Sequence, residues 1–596
     1  MRWLQRVPQW TAGLLLTACA KLPPAGTNPA PAYPRSSEMP PPADAGGSRV
    51  ADRSRVAVSG NTNAASPGEP NAGAARYAPP AERLASNGAM IAPAVPGAPL
   101  AMPSVDGPLK VNVVYPRPKQ VISVRDSTFI FGSVGSGRAS LAINGASVPV
   151  NPNGSFLAWL PFPAGNEPMY HLVATKGDEQ SSLTLTVARP ATPVRPAPPV
   201  VDDTTSQWVE LKNSNVDAQS DTDAVTIVRP TPGGTYKWFL FPGTVVRSTL
   251  RRGDWTRIEL DGALDAWVET KDTAPSERAR TRRTASNARV VIGPAGDPPN
   301  GSAGDAPNDP PRPGLRWSDI RIPLGERVPF QVDESANAIT LTLFGVVSDI
   351  DIINFASADP AVRDVTWRQL SNDRLEITAH LRYAPYGYLA LWDRGAFVLR
   401  VRHRPVIDPA RPLAGRVIAV DAGHPPIGST GPTGLYEADA VLAVARALKP
   451  MLERAGATVV MTRTESGPVA LGARPIAARR ADADVMVSIH LNAHPDGVNP
   501  YRTNGTGTYY FHLQSADLAR TVQRGLVKWM GLRDLGVNYD NLALARPTWM
   551  PSILCEGAFV ILPDQEAALR TQEFQSRYAI GILEGLEQWF TSLSYP

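Results

Sequence analysis

Cysteine is almost missing from this sequence. Cys19 and Cys555 are its only two, at opposite ends of 596 residues, so no disulfide framework can form and stability has to come from packing. Charge of one sign is also scarce. The formal net charge is +4 with a pI near 9.0, and no long basic run carries interleaved aromatics, which excludes nucleic acid as an expected partner. The apolar segment at 7–18 is too short to cross ~30 Å of hydrocarbon and follows Arg2 and Arg6, so it reads as an export signal and not as a membrane span.

What is abundant is proline and glycine, 60 and 48 residues, and they crowd into 20–105, 188–206 and 273–315. Such stretches hold too few large apolar residues to offset chain entropy and are expected as flexible or extended linkers. A chain of this length exceeds the ~250–300 residues at which a single core stops growing, so several domains are expected between the linkers. At the N-terminus, Leu16-Thr17-Ala18-Cys19 resembles the lipobox of bacterial lipoproteins. That resemblance implies a signal peptide at 1–19, an acylated Cys19, and a membrane tether through the lipidated N-terminus, facing the periplasm or cell wall, with the outer membrane as one location. The rival reading takes Ala18-Cys19-Ala20 as an A-x-A cleavage site that frees a soluble exported protein.

Residues 106–190 alternate apolar and polar in short runs, with Asn144-Gly145 and Asn151-Pro152-Asn153-Gly154 as turns, and predict a small β-sandwich that looks like an immunoglobulin-like module. After a linker at 191–206, residues 207–272 predict a second β unit whose close, Leu264-Asp265-Ala266-Trp267-Val268, resembles that of bacterial SH3-like modules. A linker at 273–315 then leads to 316–405, where Ile339, Leu341 and Leu343 and then Leu375, Ile377, Ala379 and Leu381 alternate, in a β-rich domain that looks like a wall-targeting module.

From 412 to 596 the period changes. Apolar strands at 417–420, 458–462, 484–489, 506–513, 542–545 and 552–555 alternate with helices at 437–448, 471–481, 516–530 and 564–590. The fold class expected is therefore multidomain, with small all-β modules joined by Pro-rich linkers ahead of a C-terminal α/β domain whose mostly parallel twisted sheet is covered by helices. Reactive groups in such sheets gather at the carboxyl ends of strands. His424 lies just beyond the first strand, His490 closes the third, Glu556 follows the last, and Glu437 opens the first helix after a loop holding Gly428, Gly431 and Gly434. Two imidazoles and one carboxylate, with a fourth position left to water, form the donor set of a catalytic zinc, and His424, Glu437 and His490 are the expected ligands. Their separations of 13 and 53 fit no short zinc pattern. His494 sits in a Pro- and Gly-rich loop, Asp439 points away along the helix, and Cys555 ends an apolar strand, so none of the three is expected in the site.

Asp421-Ala422-Gly423-His424, Gly434-Leu435-Tyr436-Glu437, Met461-Thr462-Arg463, Ser488-Ile489-His490-Leu491-Asn492-Ala493, Arg546 and Met550-Pro551-Ser552-Ile553-Leu554-Cys555-Glu556 occur in the order found in zinc-dependent N-acetylmuramoyl-L-alanine amidases of the autolysin and cell-division type, and residues 416–590 resemble that family. The resemblance implies one Zn2+ per catalytic domain on His424, Glu437 and His490, with Glu556 as general acid/base. It implies peptidoglycan as substrate, cut between the lactyl group of N-acetylmuramic acid and L-alanine, with Asn492 and Arg546 as substrate contacts or supports. Regulated members carry an extra helix over the zinc between the second histidine and the catalytic glutamate. The 66 positions from His490 to Glu556 are nearly consumed by two strands and a helix, so no such insert and no required activator protein are expected. Pro425-Pro426 stand where the family has glycines, and Pro450 falls beyond the ligand-bearing end of its helix. The alternatives are a catalytically inactive peptidoglycan-binding lipoprotein and a zinc peptidase acting on the stem.

Overall fold

Strands dominate the N-terminal half because apolar residues recur there at every second position. The computed structural model describes residues 83–85, 87–124, 126–165, 167–190, 202–218, 223–293, 317–355, 358–424 and 428–594. The signal segment and Cys19 lie outside the described residues.

Between 112 and 186 a three-stranded and a four-stranded antiparallel sheet enclose Ile130, Phe156, Tyr170 and Leu172. Asn144 and Gly145 both take positive φ, 49° and 80°, which is what a two-residue hairpin turn requires. In strands Ser127–Ser133 and Ser155–Pro161 the alternate residues Phe129, Phe131 and Leu157 point the other way and join the core of the C-terminal domain. Burial on both faces explains why these strands read as nearly unbroken apolar runs.

The next two β units are not separate beads. A seven-stranded antiparallel sheet from Gln207–Leu211 to Thr273–Pro275 shares one core with the sheets that follow, from Val209 and Trp238 through Leu341 to Val401. The described part of the stretch expected as a linker at 273–315, residues 273–293, is corrected accordingly; the remainder lies outside the described residues. Arg283–Ala285 pairs with Val346–Ser348, and Ala288–Gly293 pairs with both Trp317–Pro323 and Ile353–Phe355. Val290 and Ala285 are buried in the shared core, so a short apolar run inside Pro-rich sequence is enough to recruit the chain into a sheet.

The same correction applies to the end of the stretch expected as a linker at 20–105. Arg83–Leu84 pairs with Met90–Ile91, Ala85 is buried against the C-terminal helices, and Arg83 forms an ion pair with Glu587. Ala94 and Gly97 then donate to the carbonyls of Trp529 and Gly531.

In the C-terminal domain the elements are β1 (Val417–Ala422), α1 (Glu437–Arg454), β2 (Thr458–Met461), α2 (Ala473–Arg480), β3 (Val485–Asn492), β4 (Thr506–Tyr510), α3 (Ala516–Met530), β5 (Asp534–Tyr539), β6 (Ser552–Phe559), α4 (Pro563–Leu569) and α5 (Gln572–Ser592). They build a mixed sheet in the order β2-β1-β3-β6-β4-β5. Only the β6–β4 pairing is antiparallel. Along β3, Val485, Val487, Ile489 and Leu491 face the core built with α1, α3 and α5, while Met486 joins a smaller core on the opposite face. Ser488 and His490 share that second face by the period of two.

Four features differ from expectation. Residues 542–545 form a turn and not a strand, with the Ala545 N–H donating to Leu542 O at 3.0 Å. The last helix is two, broken where the Thr571 hydroxyl caps α5 by accepting from Phe574 N. The edge strand β5 was not expected, although Leu535, Val537 and Tyr539 alternate along it, and α1 continues through Pro450 to Arg454.

Candidate metal and catalytic site

Strand ends position the site. β3 and β6 are parallel neighbours with His490 directly opposite Glu556, so two strong proton-transfer groups stand side by side on one face of the sheet. β1 ends beside them and turns at Gly423 into His424, whose φ of 41° is a left-handed conformation rarely taken by a residue with a side chain. Glu437 opens α1 across the loop. Ligand atoms of His424, Glu437 and His490 lie within 4.8 Å of one another. The Glu437 Oε1 is 3.3 Å from His490 Nδ1 and 3.6 Å from His424 Nε2, and the two imidazole rings meet at 80° with centroids 4.8 Å apart.

Close packing leaves no room for larger residues at two glycines. A Cβ on Gly423 would stand 2.4 Å from the His490 ring, and one on Gly428 would stand 2.8 Å from Glu437 Oε2 and 2.9 Å from His424. Glu437 is fixed by two backbone donors, Ser429 N to Oε2 at 3.0 Å and Leu491 N to Oε1 at 2.9 Å. Behind β6, the Tyr578 hydroxyl donates to Cys555 O at 2.9 Å and sits 3.1 Å from His490 O, tying the two strands at the site.

The electrostatics suit a metal and a proton carrier. Burial lowers the His424 pKa against the pull of Glu437, which favours the neutral, ligand-competent imidazole. Burial would raise Glu437, but the hydrogen bond from His490 and the charges of both histidines hold its carboxyl below the usual range. Glu556 goes the other way: burial, with the Glu437 charge adding and His490 opposing, pushes its pKa up to about 8. Its Oε2 is buried without a hydrogen-bond partner, which leaves an acceptor directed to whatever enters the site.

The residues that hold these groups lie within the quoted motifs, apart from Arg474, but had no role assigned from sequence. Arg463 is 5% exposed and donates to Ala422 O, Gly423 O and Ala438 O at 2.7, 2.9 and 2.6 Å, bracing the turn before His424 and the helical turn after Glu437. Arg474 donates to Asp421 Oδ1 at 2.7 Å, and Ser488 and Thr462 donate to the same carboxylate. Burial raises Asp421, yet Arg474 and the two hydroxyls outweigh it and keep the group ionised. The signal was the charged residue just after the apolar run of the first two strands, Asp421 and Arg463.

Asn492 ends β3 half-buried at the same rim, and its carbonyl accepts from Val560 N at 3.2 Å. Arg546 is not brought there, which corrects the expectation that it contacts substrate. Because β4 runs antiparallel to β6, its end and the following loops return to the amino edge, where Arg546 O meets His512 Nε2 at 2.9 Å. The guanidinium lies 4.8 Å from the Tyr236 ring of the preceding β unit and bonds Asn541. His494, its ring tilted 32° against Phe559 with centroids 4.5 Å apart, and exposed Asp439 stay out of the ligand cluster, and burial pushes the Cys555 thiol up into an unreactive form.

A helix-covered mixed sheet with two imidazoles and two carboxyl groups at one edge defines a hydrolytic α/β domain with a candidate metal site. Residues 418–588 match the family of N-acetylmuramoyl-L-alanine amidases. Uncharacterized protein YqiI of Bacillus subtilis (strain 168) is 32% identical over 192 residues, 31% of this chain and 90% of that protein. The chain belongs to the N-acetylmuramoyl-L-alanine amidase family, and its activity is that of an amide hydrolase. The probable cell wall amidase LytH of Staphylococcus aureus is 30% identical over 185 residues, 30% of this chain and 60% of LytH. Among solved structures, an N-acetylmuramoyl-L-alanine amidase from Clostridium difficile 630 is 33% identical, covering 30% of this chain and 96% of that one with a TM-score of 0.28.

Proposed function

We propose that this protein hydrolyses the amide bond between the lactyl group of N-acetylmuramic acid and the L-alanine of the peptidoglycan stem. The observation that carries the reading is the convergence of His424, Glu437 and His490 beside Glu556 at one sheet edge. The donor set fits zinc: two imidazoles and a carboxylate, with Glu437 and His490 buried and His424 partly open, and with neutral His424 and ionised Glu437. When bound by these three residues, zinc supplies Lewis-acid polarisation of the scissile carbonyl and acidifies water.

The chain's own part is proton handling and alignment. Glu556 as carboxylate takes a proton from the attacking water while the water oxygen bonds the lactyl carbonyl carbon. The C–N bond then breaks, and Glu556 returns the proton to the departing L-alanine nitrogen, so acid and amine leave with atoms balanced. A pKa raised toward neutrality lets one group both accept and give that proton, a role worth roughly 10²–10⁴ in rate. Arg463 and Asp421 keep the ligands aligned. We further assign the site of action to the cell envelope, with Cys19 as the acylated tether and the β units at 106–190, 207–272 and 316–405 as the modules that hold the enzyme on its polymer. Among the described residues no helix is long and apolar enough to cross a membrane.

The test is release of stem peptides from purified sacculi, read by mass spectrometry, with zinc content measured in parallel. Loss of release in Glu556→Ala with zinc retained is the expected result. Zinc bound without release by the unmodified protein would favour an inactive wall-binding role, and cuts inside the stem would make it a peptidase.

A further inference from the structure

The β-sandwich does more than set reach. It packs on two loops, 493–505 and 560–562, that leave β3 and β6, the strands carrying His490 and Glu556. Both loops therefore sit on the same edge of the sheet as the site. A cleft of about 450 Å3 opens between them and the sandwich, within the size range of small-ligand sites. Asn151 and Leu157 line it from the sandwich; Tyr501, Asn504, Leu562 and Asp564 line it from the amidase domain.

The cleft is joined to the catalytic edge through its floor. Gln565, 2% exposed, accepts from Phe559 N at the end of β6 and donates to Asn504, fixing that amide at the cleft wall. Its neighbour Glu566 accepts from Thr433 N and Leu435 N in the loop that leads into Glu437. On the other flank of loop 493–505, a second recess of about 360 Å3 lies between Gly497 and the sandwich residues Trp159, Asp126 and Ser127.

Tyr501 is 53% exposed, yet its hydroxyl donates to Leu157 O across the cleft at 2.5 Å. An exposed aromatic ring pinned at its far end is a preorganised platform that loses little freedom when a ligand stacks on it. Beside it stand amides and a carboxylate. Such a mixture, one flat apolar face ringed by groups that both donate and accept, matches a pyranose ring with hydroxyl and acetamido substituents. It matches a short peptide less well, because the outer edge of strand Ser155–Pro161, which ends its sheet, already gives the Leu157 carbonyl to the Tyr501 hydroxyl.

We propose that this cleft binds the sugar strand flanking the stem to be cut, a β-1,4-linked chain of N-acetylated amino sugars, with Tyr501 as the stacking platform and Asn504 and Asp564 as polar contacts. This rests on the amidase reading above. The sandwich is thereby one wall of the substrate groove, and the preferred substrate is a glycan polymer rather than a free muropeptide.

The experiment is calorimetric titration of the whole protein with tetra-N-acetylchitotetraose, which has the N-acetylated sugars and no lactyl–alanine amide. Tyr501→Ala weakens binding by about tenfold or more, Tyr501→Phe weakens it less because the ring stays, and Glu556→Gln leaves it unchanged. Melting curves establish that each variant folds. The proposal is overturned if the unmodified protein does not bind the tetrasaccharide, if Tyr501→Ala binds it equally well, or if Tyr501→Ala loses affinity for a free stem tetrapeptide instead. Tyr501-dependent sugar binding in a protein that releases no stem peptide would remove the amidase reading and keep the cleft; stem release with Tyr501-independent binding would do the reverse.

Discussion

At Gly423 a single hydrogen atom in place of a side chain decides whether two imidazoles can meet. A methyl there would overlap the His490 ring at 2.4 Å, and neither the ring, held by its strand, nor the turn, held by Arg463, can yield. Gly423→Ala is expected to lose at least tenfold in zinc affinity while the circular dichroism spectrum stays unchanged, and metal titration against a chromogenic chelator checks it. Glu556 makes a second prediction at this scale. Its folded pKa of about 8 lies above the ordinary value of 4.5, so the metal-free fold binds the extra proton. Stability from this group is fully present below pH about 4.5 and is lost as pH rises through about 8. With metal removed by chelation, the melting temperature of the unmodified protein should fall across that window relative to Glu556→Gln, whose amide stays neutral; parallel curves for the two proteins would contradict the assignment.

Among elements, the ligand-bearing loop and α4 depend on one buried carboxylate. Glu566 is 0% exposed and accepts from Thr433 N, Thr433 Oγ1 and Leu435 N, at 2.9 to 3.0 Å. Glu566→Gln points an N–H at those donors and is expected to cost about 1–3 kcal/mol, measured by chemical denaturation, with the fold retained. The same scale shows what sequence could tell. His424, Glu437 and His490 were legible because each sits at or near the end of an apolar strand or the start of a helix, and Glu556 because it follows the apolar run 552–555, although β6 continues past it to Phe559; a parallel arrangement sends such positions to one edge. Arg546 was not, since nothing in its neighbours reveals that β4 runs antiparallel and returns the chain to the opposite edge. The strands at Ala288–Gly293 and Met90–Ile91 were hidden for another reason: averaged over a Pro-rich stretch, a run of two to four apolar residues vanishes, although burial needs no more.

For the whole molecule, the β units and the amidase domain share surfaces that neither can leave exposed. Phe129, Phe131, Leu157 and Tyr386 belong to the core of the C-terminal domain, and Arg402 donates to Ala483 O and Asp482 O at 2.6 and 2.9 Å. Residues 412–596 produced alone are therefore expected to melt at a lower temperature than the full chain and to bind an apolar dye; equal melting temperatures would show the contacts to be incidental. The lateral pairing of His490 with Glu556 has a consequence for how such a protein can vary. The spacing between the group that would carry the metal and the group that would carry the proton is set by a main-chain ladder, so the 66 positions of excursion between them can lengthen, shorten or acquire new surface loops while the distance that matters for chemistry stays constant.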